Sequence, residues 1–142
     1  MTHYSATARS NYFAVKDETA FREWATRLGL TVMEDALYGK TAKCIRRFAI
    51  SPGNRDHGGG WPFNVRNEET GGYDSVEVAE QLSAHLADDE VAVLLEVCYN
   101  DLQYVTGLAE AVNNKGSAEF VSLDSIYAVA RRLGKNITRA EY

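Results

Sequence analysis

Residues 91–99 are the longest nearly unbroken apolar stretch of the chain, interrupted only by Glu96, and they limit the fold more than any other segment. The stretch is far too short for the roughly 20 apolar residues of a membrane-crossing helix. Its length, its valines and the acidic turn Asp88-Asp89-Glu90 before it predict a central strand, covered on both faces or nearly so. A second strand is expected at 104–112. Asn113-Asn114-Lys115-Gly116 suits a type I turn with Gly116 in the left-handed bulge position, returning into a strand at 118–121. In that register Glu110 faces Phe120. A tighter two-residue loop would instead set Glu110 against Glu119, an unfavourable like-charge pair.

The remaining elements follow from periodicity and caps. Residues 11–15 read as a strand. Asp17 then caps a helix that buries Ala20, Phe21, Trp24, Ala25 and Leu28, and Gly29 stops it. Strands are expected at 30–34 and 44–50, joined through Tyr38-Gly39-Lys40, with a short one at 63–66. Ser75 is the expected cap of a helix with Val78, Ala79, Leu82 and Leu86 on its apolar face. Ser122 is the expected cap of a last helix that buries Leu123, Ile126, Tyr127, Ala130 and Leu133 and ends at Gly134. This order predicts an α+β fold: a ferredoxin-like β-α-β-β-α-β core extended by a β-hairpin and a C-terminal helix, in a single sheet with helices mainly on one face. Residues 1–9 read as a flexible arm and residues 10–142 as one domain.

Charge is unevenly distributed. Residues 67–124 hold thirteen carboxylates and one cation, Lys115, for a balance of −12. Residues 1–66 carry +4 and residues 125–142 carry +3, which together give the net −5 of the whole chain. A one-sign surface attracts cationic groups and repels nucleic acid. The acidic candidates for a partner-binding face are Glu68, Glu69, Asp74, Glu77 and Glu80, before or along the second helix, and Asp88, Asp89 and Glu90 after it. The expected partner is a cationic protein surface, with no direct nucleic-acid binding, no membrane and a cytoplasmic location, because the N-terminus lacks an apolar leader core. The competing view of these acids is a solvated surface that keeps the chain soluble.

Other chemistry is sparse. Gly39-Lys40-Thr41 ends like a phosphate-binding loop, but Glu34 stands where the leading glycine belongs. His3, His57 and His85 are scattered, so no metal or cofactor is expected, and Asp88-Asp89-Glu90 lacks the alternating ligands of an EF-hand. Cys98 reads as a buried free thiol. Cys44 lies in a basic stretch that would lower its pKa if exposed. Lys40, Lys43, Arg46 and Arg47 form one basic cluster; Arg131, Arg132, Lys135 and Arg139 form another. Glu96, Glu110 and Glu119 all fall on predicted strands, with Glu96 expected at an exposed position. The loop 51–61 combines three consecutive glycines with Arg55, Asp56, His57 and Trp61, and is the candidate for contacting a small ligand. Nothing in the spacing points to an activated nucleophile.

Several strings are familiar together: Ser10-Asn11-Tyr12-Phe13 with Phe21 and Trp24, Gly59-Gly60-Trp61-Pro62, 87–93, 122–127 and 136–142. On these the chain resembles a group of short proteins from bacterial plasmid and phage regions, over most of its length. The resemblance carries no catalytic or binding residue. It implies a mobile-element accessory role, such as blocking a host nucleic-acid-handling complex of the restriction or CRISPR type.

Overall fold

Strand β1 (Tyr4–Ser10) leads the chain in the computed structural model, which describes residues 4–35, 45–53, 59–100 and 104–140. It pairs antiparallel with β6 (Val91–Asn100), Ser10 opposite Leu94 and Tyr4 opposite Asn100. The flexible arm expected at 1–9 is therefore replaced from Tyr4 onward by an edge strand. Its Ser, Ala and Thr side chains carry no apolar pattern, but Ala6 and Ala8 are small enough for a loop to lie against them. On the far side β6 pairs with β7 (Tyr104–Asn113), and β7 with β8 (Ala118–Ser122), giving a four-stranded antiparallel sheet in the order β1-β6-β7-β8. Gly116, at φ +80°, makes the bulge turn, and Glu110 faces Phe120 as expected.

Strands β2 (Leu30–Glu34) and β3 (Phe48–Pro52) form a separate antiparallel pair, and β4 (Asn64–Arg66) and β5 (Tyr73–Ser75) another. The single sheet expected from the sequence is thus divided into three. Between β1 and β3 the ladder shrinks to a reciprocal main-chain pair, Phe13 N–H to Phe48 O at 2.9 Å and Phe48 N–H to Phe13 O at 2.8 Å. Beside it the Ser10 hydroxyl accepts the Ile50 N–H at 2.8 Å. A side-chain oxygen here takes the place of a main-chain rung. Asn11 closes the other side, its amide donating to Val91 O and accepting from Val93 N–H.

Helix α1 (Glu18–Arg27) begins where Asp17 Oδ1 accepts the Ala20 N–H at 3.1 Å, and buries Phe21, Trp24 and Ala25. Phe21 meets Phe13 edge-on at 5.8 Å and Phe48 at 5.7 Å, so the aromatic cluster sits at the junction of the two sheets. Helix α2 (Val78–Ser83) buries Val78, Ala79 and Leu82 against Leu94 and Val112 of the large sheet. Ser75 ends β5 rather than capping α2. Val76, buried with its N–H on Phe63 O, holds the chain extended until Glu77.

Two burial expectations fail. Among the described residues one face of the large sheet is covered, by α2 and by residues 59–63; on the other, Leu95, Val97 and Tyr99 of β6 are exposed. The final helix, a 3-10 turn (Leu123–Ser125) followed by α3 (Ile126–Ala130), buries no residue, and its expected apolar face is largely open to solvent. Apolar periodicity identifies a surface that avoids water, without saying that this chain covers it. Among the described residues, no helix is long and apolar enough to cross a membrane.

Truncating Phe21 to alanine removes the ring shared by α1 and both sheets, and should cost about 3–5 kcal/mol in denaturant unfolding. His85 lies 5.2 Å from the Trp24 ring, and its pKa is lowered from 6.5 by burial first and then by Lys16 and Arg27, against an opposing pull from Asp17. The unfolded chain therefore binds the imidazole proton more readily. Stability should be full above the ordinary imidazole range and fall as pH drops through it. A thermal-melt series from pH 8 to pH 5.5 checks this, and His85→Phe should flatten that part of the profile.

Candidate functional site

Residues 59–63 cross the covered face of the large sheet near β1 and leave a groove beside it. Gly59 takes φ +90°, and a Cβ there would land on the Ala6 carbonyl oxygen. A Cβ on Gly60 would strike the Glu96 carboxylate. Gly59 is thus required by its conformation and its approach to the β1 backbone, whereas a side chain at Gly60 would displace the flexible Glu96 carboxylate; with the small residues of β1 they let the loop seat Trp61 over the sheet. The groove encloses about 200 Å³. Trp61, Pro62 and Phe63 form one wall, the entry to α2 (Val76, Glu77, Val78, Ala79) another, and the sheet its floor.

Strand register arranges that floor. Leu94, Glu110 and Phe120 lie in one row across β6, β7 and β8, and Glu96 lies opposite Leu108 in the next. Glu96 and Glu110 are therefore diagonal neighbours on one face, a relationship that separates Cα atoms by roughly 7–8 Å. Glu77 adds a third carboxylate from the entry to α2. No Lys or Arg stands among the described residues that line the groove. The combination of aromatic walls and three acids suits a group with an apolar stem and a positive head, such as an arginine or lysine side chain.

Two further atoms qualify this chemistry. The Trp61 indole N–H is buried and has no acceptor among the described residues. Cys98, a free and half-buried cysteine, places its sulfur 3.6 Å from Glu96 Oε1. Burial, the Glu96 charge and the hydrogen bond to Glu96 all push its thiol pKa up, so Cys98 is held protonated and unreactive. Among the described residues, no group of three or more His, Cys, Asp and Glu side chains is placed to hold a metal ion.

The acidic candidates separate into distinct places. Glu77 lines the groove. Glu68, Glu69 and Asp74 lie along a second depression of about 440 Å³ at the β4–β5 hairpin, where Arg27 and Arg66 also stand, so the charge there is mixed. Glu80 is exposed in the first turn of α2. Asp88 accepts from the Asn114 amide at 2.9 Å, and Asp89 adopts a left-handed turn conformation at φ 62°. Glu90 is paired with Arg47 at 2.7 Å, with its side chain only 15% exposed, and serves as a structural ion pair. From the loop candidates, Trp61 reaches the groove, while Arg55, Asp56 and His57 lie outside the described residues, as does Cys44. Of the first basic cluster, Arg46 bridges Glu18 and Glu34 at 2.7 and 2.6 Å and stacks on the Phe48 ring, and Lys40 and Lys43 fall outside the described residues.

Glu96 and Glu110 were singled out in the sequence as strand acids but not as a pair. Glu96 is half-buried on the covered face, not at an exposed position, because it shares parity with buried Ala92 and Leu94. That parity, taken with the Gly116 register, was the available signal. Phe63, Leu108 and Phe120 carried no separate one.

Comparison with protein-family models, curated proteins and solved structures finds no match.

The Glu96–Cys98 contact gives a readout inside the groove. In a Cys44→Ser background at pH 8, Glu96→Gln removes a negative charge that favours the thiol. Alkylation of Cys98 should then accelerate by roughly threefold to tenfold, because the thiolate is no longer opposed by the neighbouring charge.

Proposed function

We propose that this protein is a non-catalytic interaction module that captures a cationic, partly apolar element of a protein partner in the groove between residues 61–63, α2 and the sheet. The observation that carries this reading is the set of three carboxylates, Glu77, Glu96 and Glu110, facing aromatic walls with no cation among the described lining residues. The arrangement narrows the acidic face expected from the sequence to a shaped site. The resemblance to plasmid- and phage-borne proteins supports a partner whose cationic surface normally holds nucleic acid, so that capture would block a host complex of the restriction or CRISPR type. The excess of acid over residues 67–124 supports the accompanying expectation that nucleic acid itself is repelled.

A ferredoxin-like core remains part of this proposal. Its support is the run of neighbours β6, β1, β3 and β2, in which β1 and the residues after it meet β3 through the Phe13–Phe48 pair and the Ser10–Ile50 hydrogen bond. The sheet is extended beyond β6 by β7 and β8.

The test is fluorescence anisotropy with a labelled peptide alternating Arg and Leu, titrated at low and high salt. Binding should weaken about tenfold or more as salt screens the contact. The triple variant Glu77→Gln/Glu96→Gln/Glu110→Gln should lose affinity by up to about fivefold per carboxylate, while Glu68→Gln/Glu69→Gln binds as the parent does. Equal binding by the triple variant and the parent, or indifference to salt, would refute the groove as the site.

A further inference from the structure

The uncovered face of the large sheet is unlike the surface of a protein that works alone. Leu95, Val97 and Tyr99 of β6, Val105 of β7 and Val121 of β8 all point outward and are exposed. Leu123, Ile126 and Val129 extend the same apolar character into the C-terminal turn and helix, and Leu133 beyond it is 90% exposed. Leu123 lies over Gly107 on this face, and the six side chains so placed expose roughly 500 Å², at the upper end of what one patch on an isolated monomer shows. A standard-sized interface takes roughly 800 Å² from each partner, so the exposed Ile126, Val129 and Leu133 of the C-terminal segment are needed in the contact as well.

We infer that this face packs against the same face of a second copy of the chain. Shape supports a self-complementary fit. Gly107 and Ala109 on β7 form the floor of an apolar furrow of about 260 Å³, with Leu95 and Val97 on one bank and Val121 and Leu123 on the other. Leu123 lies so close over Gly107 that a Cβ there would approach its Cγ to 3.0 Å, which fixes one bank in place. The row of Leu95 and Val97 on β6 of one copy then has the β7 furrow of the other to enter, as two packed sheets with nearly aligned strands require.

Charge supports the same arrangement and sets its symmetry. Arg9 on β1 lies opposite Leu95, on the uncovered face at one edge of the sheet. Glu119 on β8 lies opposite Ala111, on the same face at the other edge. A two-fold axis parallel to the strands lays the β1 edge of each copy over the β8 edge of its partner. Arg9 of one copy then lies over the β8 edge of the other, two residues along the strand from Glu119 and within reach of it through its long side chain, twice per dimer as a two-fold interface demands. The groove with Glu77, Glu96 and Glu110 is on the opposite side of the sheet and stays open.

Sedimentation equilibrium of the whole chain, up to about 200 µM, should show a monomer–dimer equilibrium in the range of standard-sized interfaces. Val97→Arg should raise its dissociation constant by about 100-fold or more, because a charge would be buried at the centre of the contact. Leu133→Asp, at a position too exposed to affect folding, should raise it by about tenfold. Arg9→Glu and Glu119→Arg should each weaken the dimer by roughly fivefold, and the double reversal should restore it to within about threefold of the parent. A monomer throughout that range would overturn the inference. So would a dimer indifferent to both Val97→Arg and Leu133→Asp, or a double reversal that fails to rescue the single ones.

Discussion

The reciprocal hydrogen-bond pair between Phe13 and Phe48 makes one body of what would otherwise be two small sheets. Around it the Ser10 hydroxyl takes up the Ile50 N–H, and the rings of Phe13, Phe21 and Phe48 close over the junction. The four-stranded sheet alone buries one face only, and a two-stranded pair is marginal by itself in water. Each depends on the other for its core, and α1 and α2 pack into the angle they form. The polar atoms at this junction are satisfied locally, so the seam costs little in desolvation.

Charge is handled differently on the two sides of that seam. In the N-terminal half, Glu18, Arg22, Glu34 and Arg46 form a closed ring of ion pairs, and Arg22 and Arg46 both stack on Phe48. Glu90 is neutralised by Arg47. Acid and base are matched there, which is what a stable surface needs. The groove carboxylates are not matched among its described lining residues, and two of them are half-buried diagonal neighbours. A fold that balances its charges in one region and leaves like charges adjacent in another retains a local cost, and such departures from internal consistency concentrate where proteins bind.

Elements defined by side-chain pattern or special backbone conformation were legible in the sequence. Asp17, the 3–4 spacing of Phe21, Trp24 and Leu28, and the bulge at Gly116 each determine something local and were read correctly. Strand β1 was not legible, because Ala6 and Ala8 are there for smallness, and smallness has meaning only beside the loop that presses on it. The apolar run 91–99 revealed a strand but not its coverage, since hydrophobicity records avoidance of water rather than the identity of the covering group. The acids were counted along the chain, whereas their grouping depends on parity and register. That is why Glu77 joined Glu96 and Glu110 in space while Glu68, Glu69 and Asp74 settled near arginines.

The β7–β8 turn has a consequence for how this sequence can vary. Because alternate residues of a strand face opposite sides, the length of the 113–117 connection decides which set of β8 side chains meets the groove. A change of residue there leaves the two surfaces as they are. The loss or gain of a single residue would turn Phe120 outward and bring Glu119 and Val121 in, exchanging an aromatic ring in the groove floor for a fourth carboxylate and removing a bank of the furrow on the other side. One insertion or deletion would thus edit both faces of the molecule at once, so lineages of this chain should hold the length of that turn, with Gly116 at its left-handed position and Asn113 as its cap, and vary at Asn114 and Lys115.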